Sequence, residues 1–584
     1  TLPRRLFNMD LVFDIETDGL EATKVWCLVA QDAETKEVYK FTPDNLDEGY
    51  KFLTTATRLI GHNIIGFDIP LVEKFGGVDL SAIEVIDTLV LSRLFNPTRD
   101  GGHSLATWGY KLGYPKIEFE DYYNYSEEMM NYCVRDVELN TKVLEELRKE
   151  SKGFEKDCIS IEQGVAKIMK QQEADGFEFD MPLALGLLAE LREKKQLIES
   201  EVHETFKPKW VDTKQVTPYI KKDGNLSKRG MTDEEYQRCL DTDNYNPFMR
   251  QTLQEFNLGS RKQIGEYLID FGWKPDRFTP TGQPIVDEKT LSKITHIHEA
   301  KLIADFLLLQ KRIAQIDSWV EAVKDDGRVH GFVIPNGTIT GRMAHRNPNV
   351  AQVPSHGSPY GKECRSCWIV KDGYKLVGVD ASGLELRMLA HYMDDKEYVN
   401  EIINGDIHTA NQNFAGLKSR DQAKTFIYAL VYGAGDEKIG SIIKGSRTAG
   451  KQLRERFLSS LPAYRTLKER VDRAATKTFL KGIDGRKLYI RNKHAALNTL
   501  LQGAGAILMK KALIMLDDIL KLNTIDYRFV ANIHDEWQIE VKESQADFVG
   551  EMAVKCIIDA GEHFNLRCPM DGEYKVGGNW SETH

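Results

Sequence analysis

The chain has 584 residues, of which 41% are hydrophobic, and a formal net charge of −10 at pH 7. This length predicts about three or four domains at roughly 100–200 residues each. The hydrophobic fraction is ordinary for a globular protein. No uninterrupted apolar run approaches the roughly 20 residues that span a bilayer, so we expect no membrane partner. The acidity excludes nucleic-acid binding through bulk charge; such binding needs local basic surfaces, with metals screening clustered carboxylates.

The cysteines favour a reducing compartment. Eight cysteines in a chain of this length do not make a disulfide framework, and reduced thiols in a cytoplasm fit better. Cys364 and Cys367 form a C-x-x-C pair that could start a zinc or redox site. No second pair at zinc spacing follows, because Cys556 and Cys568 are distant and eleven residues separate them. We therefore interpret the cysteines as structural.

The first acidic motif lies in residues 1 to 155. Asp14 and Glu16 stand two apart on a predicted strand, so both carboxylates leave the same face. Asp68 follows an apolar stretch in a glycine-bounded turn, and Tyr132 and Asp136 lie one turn apart on a predicted helix. Four converging carboxylates would repel one another without cations between them, and two carboxylate-bound Mg²⁺ ions suit phosphodiester hydrolysis. Ordinary solvated carboxylates are the alternative.

Residues 156 to 325 are predicted to be mostly helical. Between two long amphipathic helices, a polar segment from Lys207 to Gly230 carries seven lysine and arginine residues with Trp210 and Tyr219 among them. Such a segment can grip phosphates and stack on bases, or it can be a charged loop in water. Both interpretations stay open. Ser260 is predicted to cap a helix whose N-terminal amides face a DNA phosphate.

A second acidic motif dominates the C-terminal half. The stretch LVGVDASGLELRMLA predicts a buried strand, a turn and a helix, with Asp380 at the end of the strand. Far downstream, FVANIHDEWQIEV predicts two hairpin strands with Asp535 and Glu536 between them. We predict that Asp380 and Asp535 meet and together hold two divalent metals for nucleotidyl transfer.

A four-residue repeat of cations and aromatic rings lies between these aspartates. Arg420, Lys424, Tyr428 and Tyr432 share one helical face, and the step from Arg420 to Tyr428 covers about 12 Å, close to the reach of a triphosphate plus sugar. Two cations and a ring can neutralise the phosphates and pack the far end of a nucleotide. Lys424 also suits protonation of a departing pyrophosphate, and His408 adds a phosphate donor. An ordinary exposed helix is the alternative.

Arginine and glutamine side chains with hydrogen-bond donors also occur in the C-terminal half of the chain. Arg342 and Gln352 lie among predicted strands and turns, and Gln502 lies on a long predicted helix with a glycine-rich centre that indicates close backbone packing. Such side chains can donate to minor-groove acceptors that every base pair shares, which gives a sequence-tolerant grip.

These motifs carry a family resemblance. In chain order, VDASGLELRMLAH, NGDIH, SRDQAKTFIY, VYGAGDEKIG, HAALNTLLQ and IHDEWQIEV resemble the family A DNA polymerases, most closely the replicative type of T-seven-like bacteriophages. The order D-x-E, Asp, then Y-x-x-x-D resembles the proofreading 3′–5′ exonucleases of the DEDDy type. The resemblance covers residues 9 to about 155 and about 325 to 584 well, and the middle only in patches.

The resemblance implies a multidomain α/β and α+β fold, in which an exonuclease precedes a right-hand polymerase of palm, fingers and thumb. The expected parts are a ribonuclease-H-like 3′–5′ exonuclease domain (1–155), a thumb (156–325) with a shortened insertion near 207–254, a first palm part (326–395), the fingers (396–492) and a second palm part (493–584).

The resemblance also implies roles for individual residues. In the polymerase site, Asp380, Asp535 and the Ala381 carbonyl would hold two Mg²⁺. In the exonuclease site, two more would bind to Asp14, Glu16, Asp68 and Asp136, with Tyr132 orienting the attacking water. Mn²⁺ is the expected substitute metal. Residues that would contact the dNTP are Arg420, Lys424, His408, Tyr428 on the sugar, Tyr432, and Glu385, which would block a ribose 2′-hydroxyl. Residues that would track primer–template DNA are Arg342, Gln352, His494 and Gln502.

The implied partners are primer–template DNA and dNTPs, with a replicative helicase–primase and a single-stranded DNA-binding protein as candidates. The shortened insertion argues against a thioredoxin-like processivity factor. The implied location is the cytoplasm of a phage-infected bacterial host. A single-subunit RNA polymerase would share the aspartates and the Arg-Lys-Tyr helix, but Glu385 and the fused exonuclease argue against it. A nuclease whose C-terminal half only binds DNA is the other alternative.

Overall fold

The computed structural model describes residues 9–584; residues 1–8 of the predicted exonuclease domain lie outside the described part. The chain divides into two units. The first contains the residues up to 180 together with 322–584, and the second contains Met181–Glu321.

The N-terminal part of the first unit alternates strands and helices. Its elements are β1 (Asp10–Thr17), β2 (Val25–Asp32), β3 (Val38–Phe41), α1 (Leu46–Leu53), β4 (Arg58–Gly61), α2 (Asp68–Gly76), β5 (Glu84–Asp87), α3 (Thr88–Phe95), α4 (Leu105–Lys111), α5 (Glu127–Glu150), α6 (Lys156–Asp175) and β6 (Phe177–Phe179).

The first five strands form one sheet in the order β3-β2-β1-β4-β5. Strand β1 runs antiparallel to β2 and parallel to β4. Its odd-numbered residues Leu11 and Phe13 enter one apolar cluster, whereas Val12 packs with Cys133 and Val137 of α5 on the other face. Because side chains alternate along a strand, the face of Val12 is also the face of Asp14 and Glu16. The acidic residues of β1 are therefore directed toward α5.

The second unit is mostly helical, as predicted. Its elements are α7 (Met181–Thr205), β7 (Lys209–Val216), β8 (Tyr219–Ile220), β9 (Leu226–Ser227), α8 (Asp233–Thr242), β10 (Phe248–Gln254), α9 (Arg261–Asp270), α10 (Glu288–Leu291) and α11 (His298–Ala322).

Two local predictions for the second unit have different outcomes. The hydroxyl of Ser260 accepts from the N–H of Gln263 and caps α9, as predicted. The basic segment after Lys207 is not a plain loop, because β7 pairs with β10 and β8 pairs with β9. Alternation of polar and apolar residues is weak in this segment, so its strands left little signal in the sequence.

The remainder of the first unit contains the elements around the second acidic motif. They are β11 (Arg328–Val329), β12 (Phe332–Ile334), β13 (Ala344–Arg346), α12 (Gly361–Ser366), β14 (Trp368–Ile369), β15 (Tyr374–Ala381), α13 (Leu384–Met393), α14 (Lys396–Asn404), α15 (Ile407–Ala415), α16 (Arg420–Val431), α17 (Asp436–Ile442), α18 (Arg447–Ser460), α19 (Pro462–Ala474), β16 (Phe479–Lys481), β17 (Lys487–Tyr489), α20 (Ala496–Leu522), β18 (Tyr527–Ile533), β19 (Glu536–Lys542), α21 (Ala546–His563) and β20 (Gly572–Gly577).

A four-stranded sheet in the order β18-β19-β15-β20 lies at the centre of this part. Helix α20 packs against α6, α13 and α21, and two of its glycines allow close approach of neighbouring side chains. A Cβ on Gly503 would come within 2.8 Å of the Leu488 side chain, and one on Gly505 within 3.0 Å of Leu384. The packing predicted from the glycine-rich run is therefore present.

By length and composition, one helical stretch in the described residues, Lys493–Leu522, is apolar enough to cross a membrane. Because 72% of its most apolar window is buried inside the protein, we assign it to the core. All eight cysteines lie in the described part and are buried, and none of them forms a disulfide there, which agrees with a structural role.

Candidate active sites

The N-terminal acidic residues converge at one end of β1. Asp68 is the first residue of α2 rather than part of a turn, and its carboxylate accepts from the N–H of Ile15 at 3.1 Å. Asp136 approaches from α5, which lies on the face of β1 that carries Asp14 and Glu16. The four predicted metal-binding carboxylates are therefore brought together by three separate elements.

Electrostatics in this cluster are unfavourable without a cation. Burial, followed by the charge of Asp136, raises the pKa of Asp14 to about 7. Burial and the charge of Asp14 raise the pKa of Glu16 to about 10. Burial and Asp14 likewise raise the pKa of Asp68 well above its usual value. Without a metal ion, burial and mutual repulsion keep protons on these carboxyl groups.

One cation, Lys116, does reach the cluster, and sequence reasoning missed it. Its ammonium lies 2.6 Å from Asp136 Oδ2 and 4.8 Å from the centre of the Tyr132 ring. The loop that carries Lys116 has no motif, so only the tertiary structure reveals it. The other oxygen of Asp136, Oδ1, is buried without a hydrogen-bond partner among the described residues. An unpartnered buried carboxylate oxygen fits a hard cation such as Mg²⁺.

Cys133 also lies in this cluster, with a donor atom near those of Asp14 and Glu16. Burial raises the pKa of its thiol, so it stays protonated. The thiol is 3.7 Å from Asp14 Oδ2, and we interpret it as a weak donor to that carboxylate.

The second acidic site forms where two strands end side by side. In the ladder, Asp380 of β15 pairs with Glu536 of β19 on one side and with Glu573 of β20 on the other. The N–H of Ala381 donates to the carbonyl of Asp535 at 3.1 Å. Asp380 and Asp535, which are distant in sequence, thus occupy neighbouring backbone positions.

Asp380 lies in an acidic environment. Burial, followed by the charge of Glu536, raises the pKa of Asp380 to about 7, with Asp535 and Glu573 adding to the shift and His584 opposing it. Burial also raises the pKa of Asp535. A cation beside these carboxylates would lower their pKa values.

Glu536 behaves differently from its neighbours. Burial acts to raise its pKa, but a hydrogen bond and the charge of His584, with Arg365 and Trp580, lower it below the usual value. The distance from His584 Nδ1 to Glu536 Oε2 is 3.0 Å.

Asp380, Glu536 and His584 present donor atoms within 4.8 Å of one another. This closely spaced group does not include the Asp535 carboxylate, and sequence reasoning had no role for Glu536 or His584. The Asp-Glu dipeptide at 535–536 was the available signal.

Asp535 lines a neighbouring cavity of about 460 Å³. The cavity brings together six residues singled out from the sequence: Arg342, Glu385, Tyr428, Tyr432, Gln502 and Asp535.

Glu385 is held firmly in this cavity. The Tyr432 hydroxyl donates to both of its oxygens, at 2.6 and 2.7 Å, and Arg342 donates to Oε1 at 3.2 Å. Burial, then the charges of Glu385 and Asp535, raise the pKa of Tyr428. Tyr432 lies one residue beyond the end of α16, so the predicted four-residue repeat leaves the helix at its last member.

The cations of α16, Arg420 and Lys424, lie in the N-terminal half of that helix. Arg420 and Lys424 are exposed, and Arg420 Nε lies 2.6 Å from Asp406 Oδ2. Asp406 also caps α15, which carries His408. Burial, then the charges of Arg420 and Lys424, lower the pKa of His408. The three predicted phosphate donors therefore face one another.

Two predicted DNA-tracking residues lie outside the cavity. Gln352 is exposed at the end of a 3₁₀ turn, Val350–Gln352. His494 is exposed in another 3₁₀ turn, and its carbonyl packs closely on Gly433 beyond α16.

Comparison with known proteins decides the family. Residues 233–582 match the model for DNA polymerase family A. The chain belongs to DNA polymerase family A. It is a DNA-directed DNA polymerase of the phage replicative type.

This family A polymerase is similar to phage DNA polymerases over their whole length. It is 34% identical to the DNA-directed DNA polymerase of Enterobacteria phage T3, across 98% of this chain and 100% of that protein. It is 33% identical to the enzyme of Escherichia phage T7 with the same coverage. It is 28% identical to DNA polymerase I of Pseudomonas aeruginosa, across 57% of this chain and 39% of that one.

A solved structure shares the fold of this polymerase. The structure titled "POL domain of Pol1 from M. smegmatis complex with DNA primer-template and dNTP" matches with a TM-score of 0.79 at 18% identity, covering 99% of this chain and 96% of that one. The polymerase fold predicted from the sequence is therefore confirmed. Family A polymerases use divalent metals, and both acidic clusters of this polymerase offer the oxygen ligands that such metals prefer.

Proposed function

We propose that this polymerase extends a primer 3′-hydroxyl with dNTPs by two-metal nucleotidyl transfer and proofreads the product with a separate 3′–5′ exonuclease site. The observation that carries the proposal is the junction of Ala381 and Asp535, which sets two carboxylate-bearing strand ends beside the cavity of Glu385 and Tyr428.

The polymerase site is assigned to the sheet. Asp380, Asp535 and the Ala381 carbonyl would hold two Mg²⁺, with Mn²⁺ as a substitute; bound there, the metals lower the pKa of the primer hydroxyl and neutralise the triphosphate. Glu536 and His584 influence the charge state of Asp380. The hydrogen bond between them keeps Glu536 ionised, and the negative charge of Glu536 acts on Asp380. The negative charge of Glu536 beside Asp380 supports the assignment of Asp380 as a cation ligand.

The incoming nucleotide is assigned to α16 and the cavity. Arg420, Lys424 and His408 bind the phosphates, and Lys424 gives a proton to the departing pyrophosphate. Arg420 is paired with Asp406 in this structure, so it exchanges that partner for a phosphate oxygen. Tyr428 packs on the sugar, at the opposite end of the helix from Arg420.

Selection against ribonucleotides is assigned to Glu385. Because Tyr432 and Arg342 both hold its carboxylate, Glu385 is rigid enough to exclude a 2′-hydroxyl from the cavity. A fixed, half-buried carboxylate that leaves no room for the extra hydroxyl discriminates more strongly than a mobile one. Primer–template DNA is assigned to Arg342, Gln352, His494 and Gln502, through minor-groove acceptors.

Proofreading is assigned to the first acidic cluster. Asp14, Glu16, Asp68 and Asp136 would hold two further Mg²⁺, and Tyr132 orients the attacking water. Support comes from the unpartnered Asp136 Oδ1 and from the strand order β3-β2-β1-β4-β5, which agrees with the ribonuclease-H-like sheet expected for such a domain.

The proposal extends to the cellular setting. We place the enzyme in the cytoplasm of a phage-infected bacterium, with helicase–primase and single-stranded DNA-binding protein as partners. Support comes from the similarity to the phage T3 and T7 enzymes over nearly the whole chain. We propose no thioredoxin-like factor.

Primer extension tests the proposal. With a labelled primer on a template, the wild-type chain should add dNTPs but not rNTPs, and Asp380→Ala should abolish synthesis while degradation of the primer continues. Extension with rNTPs alone would favour the RNA polymerase alternative. If the wild-type chain degrades the primer but never extends it, the chain acts only as a nuclease and the proposal fails.

A further inference from the structure

A lysine that belongs to none of the sequence motifs lies beside the first acidic cluster. The side chain of Lys116 is 26% exposed, and its ammonium lies 2.6 Å from Asp136 Oδ2. The same nitrogen lies 4.8 Å from the centre of the Tyr132 ring. Lys116 therefore contacts both residues that α5 contributes to the proposed proofreading site.

The chain on the N-terminal side of Lys116 is fastened to α5. Arg135 Nε donates to the carbonyl of Pro115 at 2.9 Å, and the Arg135 guanidinium lies 3.6 Å from the centre of the Tyr114 ring. The Tyr114 hydroxyl donates to Glu138 Oε2 at 2.5 Å. Because the two preceding residues are bound to α5, the backbone of Lys116 is held close to the residues that its side chain contacts.

The chain on the C-terminal side of Lys116 packs around the Tyr132 ring. The ring centres of Phe119 and Tyr132 are 5.4 Å apart, and Tyr122 lies 5.1 Å from Phe119 and 6.4 Å from Tyr132. The indole N–H of Trp26 on β2 donates to the carbonyl of Tyr122 at 2.9 Å. This packing limits the movement of the Tyr132 ring, but the direction of the O–H bond is set by its hydrogen-bond partners.

The contact with Lys116 limits how the Tyr132 hydroxyl can bond. Burial raises the pKa of this hydroxyl, and hydrogen bonds with Lys116 and Tyr122 act on that pKa in opposite directions. An ammonium group can only donate, so the Tyr132 oxygen must accept from Lys116. The hydroxyl proton then points elsewhere. A hydroxyl held in this way meets a water molecule in a fixed orientation, whereas a free hydroxyl would sample several.

The ion pair with Asp136 leaves room for a metal ion. Lys116 is paired with Asp136 Oδ2, whereas Asp136 Oδ1 is buried and has no hydrogen-bond partner among residues 9–584. The lysine and a metal ion therefore need not compete for the same carboxylate oxygen. Lys116 is more than a substitute for a missing cation if it keeps its contacts while the metal is bound, and this is what the test below decides.

We propose that Lys116 is a positioning residue of the proofreading site, and that it holds the Tyr132 hydroxyl in the orientation that directs water at the phosphodiester. The inference rests on the proposed 3′–5′ exonuclease function. Lys116 takes part in no bond change. The water loses a proton to solvent and its oxygen bonds to phosphorus, the bond from phosphorus to the preceding 3′-oxygen breaks, and that oxygen takes a proton from solvent.

The test compares full-length proteins. They are the wild type, Lys116→Gln, Lys116→Arg, Tyr132→Phe, the double variant Lys116→Gln with Tyr132→Phe, and the control Lys142→Gln. Lys142 is exposed on α5 and lies 4.9 Å from the centre of the Tyr114 ring. Circular dichroism melts in EDTA and extension of a matched primer show that each protein is folded. Lys116→Met, which keeps the apolar stem without the charge, replaces Lys116→Gln if the glutamine variant melts early.

Degradation of a labelled single strand from its 3′ end gives kcat and KM at Mg²⁺ concentrations that saturate each protein. Lys116→Gln should lower kcat by about 10- to 100-fold, the loss expected for one hydrogen bond from a charged donor, with KM within about twofold of the wild type. Affinity for the same strand in EDTA should be unchanged, because Lys116 acts on Tyr132 and not on the DNA.

The conservative variant and the control check the cause of this loss. Lys116→Arg should recover most of the lost kcat, because a guanidinium also only donates and can reach a carboxylate and a hydroxyl together. Lys142→Gln should behave as the wild type in degradation and in strand binding.

The double variant identifies the residue through which Lys116 acts. Tyr132→Phe already removes the hydroxyl that Lys116 is proposed to hold. The double variant should therefore have the kcat of Tyr132→Phe, so that the two losses do not add.

Three outcomes would overturn the inference. Additive losses in the double variant would show that Lys116 acts independently of Tyr132. An unchanged kcat in Lys116→Gln would make the lysine only a counter-charge of the metal-free cluster. Weaker binding of the strand in EDTA would assign Lys116 to a DNA phosphate. A wild-type chain that never degrades the strand would count against the proofreading function itself, and is a separate readout.

Discussion

Asp380 and Glu536 are direct partners across the ladder of β15 and β19, and Glu536 is the largest charge that raises the pKa of Asp380. His584 holds Glu536 ionised at the same time. The protonation of Asp380 near neutral pH is therefore set in part by Glu536, which is not one of the two aspartates predicted to bind metal. A cation at Asp380 must displace a proton whenever that carboxyl is protonated.

The first prediction concerns the magnesium requirement. With a pKa of about 7, Asp380 is mostly protonated at pH 6 and mostly ionised at pH 8 in the metal-free protein. The Mg²⁺ concentration for half-maximal synthesis should therefore fall by about tenfold or less per pH unit as the pH rises from 6 to 8. Single-nucleotide incorporation at several Mg²⁺ concentrations measures this.

A variant of Glu536 tests whether this residue causes the raised pKa of Asp380. Glu536→Gln removes the charge that raises the pKa of Asp380, so the Mg²⁺ requirement should change less between pH 6 and 8. Glu543→Gln, on the exposed surface beyond β19, is the control. Equal pH dependence in Glu536→Gln and the wild type would show that Glu536 does not set the protonation of Asp380.

The second prediction concerns sugar selection. Tyr432→Phe removes the hydroxyl whose single proton is shared between the two oxygens of Glu385, while Arg342 still holds the carboxylate. Because hydrogen bonds to charged groups are worth about 1.5–3 kcal/mol, the preference for dNTP over rNTP should fall by about 10-fold or more. Competition between dNTP and rNTP in primer extension measures it. Tyr489→Phe, which removes a hydroxyl bonded to the Phe95 carbonyl, should leave the preference unchanged.

The third prediction concerns a buried ionic network. Glu162 of α6 accepts from Arg486 at 2.6 Å and from Lys510 of α20 at 2.7 Å, and all three side chains are buried. Asp484 binds the same guanidinium. Glu162→Gln leaves two buried cations with one carboxylate, and should lower the free energy of unfolding by about 3–5 kcal/mol.

Chemical denaturation measures the effect of Glu162→Gln. The matched control is Glu155→Gln, which breaks an exposed pair with Lys481 and should cost at most about 1 kcal/mol. Equal stability of the two variants would show that the buried network is not needed to anchor α6 to α20.

Local chemistry made much of this molecule predictable. The strand-turn-helix at Asp380, the hairpin at Asp535 and the helix that starts at Arg420 all follow from apolar periodicity and one glycine turn. Lys116 and His584 did not follow from any local pattern, because they reach the sites only through tertiary contacts, and only the Asp-Glu dipeptide at 535–536 pointed to Glu536. The strands β7 and β10 lack the alternation of polar and apolar residues that would have revealed them.

The last prediction separates the two sites through pH and metal. In the first acidic cluster, the folded-state pKa values of Asp14 and Glu16 are raised to about 7 and about 10, from ordinary values of 3.8 and 4.5. The folded state then binds more protons than the unfolded state, so stability falls as the pH rises through this window. With EDTA, the melting temperature of the wild type should drop between pH 5 and pH 8, and Mg²⁺ should restore it at pH 8.

Two variants complete this test. Asp14→Ala with Glu16→Ala should flatten the pH dependence in EDTA and abolish degradation of single strands. Primer extension should stay within about twofold of the wild type, because Asp380 belongs to a different sheet. Lys116→Gln should steepen the pH dependence, since it removes the cation that offsets Asp136. If the double variant also lost synthesis, the two acidic clusters would have to be coupled, and the assignment of separate polymerase and proofreading sites would be wrong.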